Sequence, residues 1–78
     1  MKARKASAIQ APDIPGIGER VHTVDGFGDY RHDPSMRGMV TGVITDRWGT
    51  HAQVMMDDGA FRTCHGINPG LGIGWHRL

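Results

Sequence analysis

The chain has 78 residues, with nine Lys or Arg, eight Asp or Glu and five His, for a formal net charge of +1. That length leaves room for a single domain with a modest core, which pairing with a second copy or a partner would help to stabilise. The 38% apolar content lies above that of a disordered chain, and no apolar run approaches the roughly 20 residues needed to span a bilayer, so no helical span and no membrane partner are expected.

Residues 1–13 carry Lys2, Arg4 and Lys5 against Asp13, whereas residues 14–78 carry six Arg against seven Asp or Glu. The segment 1–13 shows little periodicity and reads as a flexible basic arm, bounded by Pro12 and Pro15. No apolar stretch follows its basic residues, so a secretory signal is not expected. The run Glu19–Val24 is β-branched at alternate places and ends at Asp25-Gly26, predicting a first strand. Residues 25–36 are rich in Gly, Asp and Pro and predict a long exposed loop. Arg37–Thr45 is the clearest strand, with Gly38 and Gly42 inside it marking a bulge or a tight bend. Residues 46–50 form a turn and His51–Met56 a third strand. Asp57-Asp58-Gly59 supplies the signal of a tight hairpin. Ala60–His65 returns as its partner, with Phe61 and Thr63 on one face and Arg62 and Cys64 on the other. A loop over 66–72 leads to a closing strand at 73–78.

The order of strand, long loop, strand, turn, strand, tight hairpin, strand, short turn and strand resembles the five-stranded SH3-like barrel of SH3, Tudor and KOW domains. The residues carrying the resemblance are Gly18-Glu19-Arg20-Val21, Arg37-Gly38-Met39-Val40 and Asp57-Asp58-Gly59. It implies an all-β fold over residues 14–78. Gly18–Val21 and Gly74–Leu78 also resemble the two ends of the barrel in the plasmid-borne type II dihydrofolate reductases. Those are homotetramers with one active site in a central pore. Their pore motif, Val-Gln-Ile-Tyr-Pro, is not matched by Phe61-Arg62-Thr63-Cys64-His65. The resemblance therefore carries the fold and the habit of oligomerising, not the activity.

Five histidines in so short a chain raise the question of a metal. No Cys-x-x-Cys or His-x-x-x-His occurs, and adjacent Cys64 and His65 point to opposite faces of a strand. No metal-ligating residue is assigned, and the histidines read as surface residues. Cys64, the single cysteine, can form no internal disulfide; it fits a reducing cytoplasm and reads as a small buried apolar side chain. Asp57 and Asp58 are explained by their turn, while Asp29 and Asp33 lie in a polar loop that keeps them solvated. The glycine clusters lack the following Lys-Ser or Lys-Thr of a phosphate loop. No catalytic residue and no cofactor are assigned.

The strongest functional surface combines the loop residues Phe27, Tyr30, Arg31 and His32 with Arg47 and Trp48 in the following turn. In SH3-like barrels these two loops lie near each other and form the ligand face. Trp, Tyr and Arg dominate binding hot spots and also stack on bases. Phe27 and Trp48 serve equally well as core, so both uses stay open. Trp75, on the closing strand, reads as packing. The sequence thus favours a non-enzymatic binding module. Its first form is a phage- or plasmid-encoded accessory protein or inhibitor gripping a protein partner. The alternatives are a nucleic-acid binder whose Lys2, Arg4 and Lys5 touch phosphates, and a reductase-like homotetramer.

Overall fold

The computed structural model describes residues 12–78. Lys2, Arg4 and Lys5, and the predicted arm as far as residue 11, lie outside the described residues. The rest is all-β: β1 (Arg20–Asp25), β2 (Gly28–Asp29), β3 (Arg37–Asp46), β4 (Gly49–Met56), β5 (Phe61–Cys64) and β6 (Gly74–Arg77). Every ladder is antiparallel. Five of the strands fall on the five predicted runs, and the sixth, β2, is a two-residue return inside the predicted long loop.

β1 is the hub. One of its edges pairs with β6 from Val21↔Arg77 to Val24↔Gly74. Its other edge is divided: Arg20, Val21 and His22 pair with Met39, Gly38 and Arg37 of β3, and Val24 and Asp25 pair with β2. From β3 the sheet continues through β4 to β5. It does not close. Among the described residues β5 and β6 share no ladder, and the segment between them contributes one isolated bridge, Ile67↔Trp75. The expectation of a closed barrel is therefore corrected to an open six-stranded sheet. The physical reason lies in that connecting segment. Pro69 offers no backbone donor, and Gly66 and Gly74 turn the chain at positive φ (153° and 135°), so the run cannot extend a ladder from β5 toward β6.

Strict alternation in β4 builds the core. Ala52, Val54 and Met56 are buried, while Met55 between them is exposed. Val21 of β1, Val40 of β3 and Cys64 of β5 complete the buried cluster, against which Ile14, Ile67 and Trp75 pack. On the opposite face the register sets Met39, Met55 and Phe61 side by side across three strands, all of them exposed.

Two charge clamps tie the edges of this small core together. Asp57 accepts from Arg20 at 2.9 Å and from Arg37 at 2.7 Å, holding the β4–β5 turn against β1 and β3. Arg77 of β6 donates to Asp13 at 2.6 and 2.9 Å and to Glu19 at 2.7 Å. The Asp13 carbonyl also accepts the Ile67 N–H at 2.8 Å. Residues 12 and 13, placed in the arm by sequence, thus lie against the body.

Gly38 is the position with least room. A Cβ there would overlap the Met55 carbonyl oxygen and stand 2.7 Å from Met56 Cα. The obstacle is backbone, which cannot rotate aside as a flexible side chain would. Gly38→Ala is expected to destabilise the fold by about 3 kcal/mol. Gly26→Ala, where no atom lies within 4 Å of the added carbon, is expected to change stability by less than about 0.5 kcal/mol. Urea denaturation of the two variants beside the parent chain measures both.

Candidate functional site

The turn between β3 and β4 projects from the core because of a bulge. The ladder shifts register between Val40 and Gly42, leaving Thr41 as an extra residue on β3. Beyond it, Val43 and Ile44 are 43% exposed, and the ribbon runs out to Asp46↔Gly49. Gly49, at φ 112°, makes the turn, and Asp46 accepts the Trp48 N–H at 2.9 Å. Trp48 is 78% exposed, with the Arg47 guanidinium 4.2 Å from its ring centroid. The guanidinium lies over one face of the indole and holds it by cation–π attraction.

Trp48 forms one wall of a cavity of about 490 Å³, shared with Pro12, Ile14 and His65. A second cavity of about 530 Å³ shares Pro12 and His65 and continues past Ile67 and Pro69 to Trp75. The two adjoin at Pro12 and His65 as a shallow, open groove between the hairpin tip and the closing strand, apolar toward Trp75 and mixed beside Trp48. Asn68 shapes its far end, donating to the Ile73 carbonyl at 2.7 Å and accepting the Gly70 N–H at 2.8 Å.

The other predicted site residues lie elsewhere. Phe27 is 95% exposed at the tip of the β1–β2 turn. Tyr30 donates to Asp25 at 2.8 Å, and that carboxylate raises the phenol above its ordinary range. Arg31 grips Asp29 through Nη2 at 2.8 Å and Nε at 3.2 Å, and His32 is exposed. This group precedes β3 and the Arg47–Trp48 group follows it, so about 30 Å of strand separates them along β3. No hydrogen bond or cavity lining among the described residues joins the two groups. The single ligand face expected from sequence is therefore two surfaces. Only the second has a groove beside its aromatic ring. Both Phe27 and Trp48 are open to contact and neither belongs to the core.

One further feature escapes sequence reasoning, while the burial expected of Cys64 is found. His22 is 1% exposed, which corrects its reading as a surface residue. Its Nδ1 lies 3.1 Å from the Asp29 carboxylate, its ring stacks on His76 at 5.9 Å, and it lines a cavity of about 360 Å³ with Arg31 and Arg77. The β1–β2 return brings Asp29 back over β1, and only knowledge of that register could have revealed the pair. Cys64 is fully buried in the core, and burial pushes its thiol up. A thiol so placed yields little thiolate at neutral pH and is a poor nucleophile.

Four of the six Arg in the body are neutralised in place. Arg20 and Arg37 pair with Asp57, Arg31 with Asp29, and Arg77 with Asp13 and Glu19. Arg47 and Arg62 have no ion pair among the described residues. No group of three or more His, Cys, Asp or Glu among the described residues is arranged to hold a metal, and no helix is long and apolar enough to cross a membrane. No protein-family model, curated protein or solved structure matches the chain.

The Arg31 guanidinium holds Asp29 well below the usual carboxylate range, at about 2. A carboxylate with a depressed folded pKa adds stability in full above its unfolded value of about 3.9 and loses it as pH falls toward the folded value. Asp13, Glu19, Asp33 and Asp57 are lowered as well. Stability should therefore be insensitive to these groups near neutrality and fall as pH drops through about 4 toward about 2. In a carboxyl-detected NMR titration Asp29 is expected to have its midpoint near 2, and Arg31→Gln to move it toward the ordinary Asp value. An Asp29 midpoint that Arg31→Gln leaves in place would show that the pair does not form in solution.

Proposed function

We propose that this chain is a non-catalytic binding module of SH3-like type, an accessory or inhibitor protein that grips a segment of a protein partner in the groove between Trp48 and Trp75. Support for the SH3-like assignment comes from the five main antiparallel strands, the long loop between β1 and β3, and the tight Asp-Gly hairpin between β4 and β5.

The observation that carries the binding reading is the state of Trp48. A Trp in a chain of 78 residues whose core cluster has six members among the described residues would add most to stability by joining that core. Instead it stands 78% exposed on a projecting hairpin, capped on one face by Arg47 and adjoining the groove. Large rings held in the open beside a groove, with Arg at hand, are the composition of binding hot spots. Ile73, 66% exposed and lining the far end, enlarges the same apolar surface.

The arrangement of arginines favours a protein over a nucleic acid. Phosphate binding draws on cations free to release counterions, and four of the six body arginines already hold carboxylates. The nucleic-acid alternative therefore rests on Lys2, Arg4 and Lys5 together with Arg47 and Arg62.

Selection of a random peptide display library on the full chain tests the reading. Selected peptides are expected to perturb amide resonances of Trp48, Ile67 and Trp75, and Trp48→Ala is expected to weaken them by about tenfold or more, as loss of a hot-spot ring does. In parallel, anisotropy of labelled single- and double-stranded DNA and RNA is measured at two salt concentrations, with the full chain and with one shortened by residues 1–11. Salt-dependent binding lost on Trp48→Ala, with no peptide selected, would replace the protein reading with the nucleic-acid one.

A further inference from the structure

Sequence spacing gives no metal motif, yet the hairpin brings two distant histidines together. The β4–β5 ladder ends at Ala52↔Cys64. Just beyond that last pair, the ring centroids of His51 and His65 lie 5.6 Å apart with the planes tilted by 52°. We propose that His51 and His65 form an open two-ligand site for a divalent transition metal of the imidazole-preferring class, zinc, nickel or copper.

The separation suits the chemistry. Zinc binds imidazole nitrogen at about 2.0–2.1 Å in tetrahedral geometry, which sets the centroids of two imidazoles on one ion about 5 Å apart. Small side-chain rotations take 5.6 Å to that value, and neither ring is held by a hydrogen bond among the described residues. Each histidine adjoins a member of the last ladder pair, Ala52↔Cys64, so the strand pairing brings the two rings close in advance. Borderline ions that favour nitrogen are selected over calcium and magnesium, which require oxygen ligands.

Two protein ligands leave the remaining positions of the ion to water or to an incoming group. Residues 1–11 contain no His, Cys, Asp or Glu side chain to complete the set, and no third such group joins the pair among the described residues. His65 also lines both cavities of the groove, so an ion held by the pair would sit at the groove's border. The site stands whether or not the groove binds a peptide, because it rests on the paired rings alone.

Calorimetric titration of the full chain with zinc chloride tests the proposal, with nickel quenching of Trp fluorescence as a second readout, since Trp48 shares a cavity with His65. One ion per chain is expected, with a micromolar-range dissociation constant. His51→Gln and His65→Gln are each expected to weaken binding by about tenfold or more, because each removes one of two ligands. His32→Gln, remote from the pair, is expected to leave it unchanged. Circular dichroism of each variant confirms that the sheet is retained. Absence of saturable binding at millimolar zinc would overturn the proposal. So would binding that persists unchanged in both folded His51 and His65 variants.

Discussion

The close approach of β3 to β4 at Gly38 is the constraint on which the rest of the sheet depends. Gly38 pairs with Val21 on one side and with Met56 on the other. It is the point where β1, β3 and β4 run side by side, and both partners belong to the buried cluster. The cluster has only six members, so no alternative set of contacts can replace the three-strand junction. A side chain there would separate the strands that supply Val21, Val40, Val54 and Met56 at once. The charge clamps reinforce the same junction from its rim: Asp57 joins Arg20 of β1 to Arg37 of β3, immediately beside the paired residues.

The bulge at Thr41 turns that compact junction into something with a projecting part. Before it, β3 alternates cleanly, Gly38 and Val40 inward and Met39 outward. After it, the strand runs beyond the core, and Val43 and Ile44 meet solvent. A bulge increases twist and bends its strand, so the hairpin tip departs from the body and leaves a concave flank beside it. Trp48 is exposed because its hairpin outruns the core, and the hollow beside it is bordered by the tip on one part and by Pro12, Ile14 and His65 on the rest.

Much of the fold was legible because alternation and turn chemistry are local. The β4 pattern, the Asp-Gly hairpin at 57–59 and the glycines inside β3 each carry their own physical reason within a few residues. Closure of the sheet was not legible, because whether β5 and β6 pair depends on the path of Gly66–Ile73 through space. The candidate site was legible by residue type but not by placement. Trp48 and Arg47 do stand together, whereas Phe27, Tyr30, Arg31 and His32 belong to the other end of β3. The His22–Asp29 and His51–His65 pairs were hidden because each is created by strand register: they join residues seven and fourteen positions apart with no repeat to announce them.

The two ends of β3 divide the labour between stability and contact. At the end near Arg37, carboxylates and guanidiniums satisfy one another, and buried His22 has its acid partner in Asp29. Strong mutual pairing leaves such groups with little to offer an incoming ligand, since any new partner must first displace an existing one. At the end near Trp48 the situation is reversed: Arg47 is without an ion pair among the described residues, the indole is open, and His65 borders the groove. A chain with so small a core cannot leave polar groups unsatisfied throughout. Concentrating the satisfied network at one end allows the other to keep its aromatic and basic side chains available. The surface that contributes least to the fold is thus the one best equipped for binding.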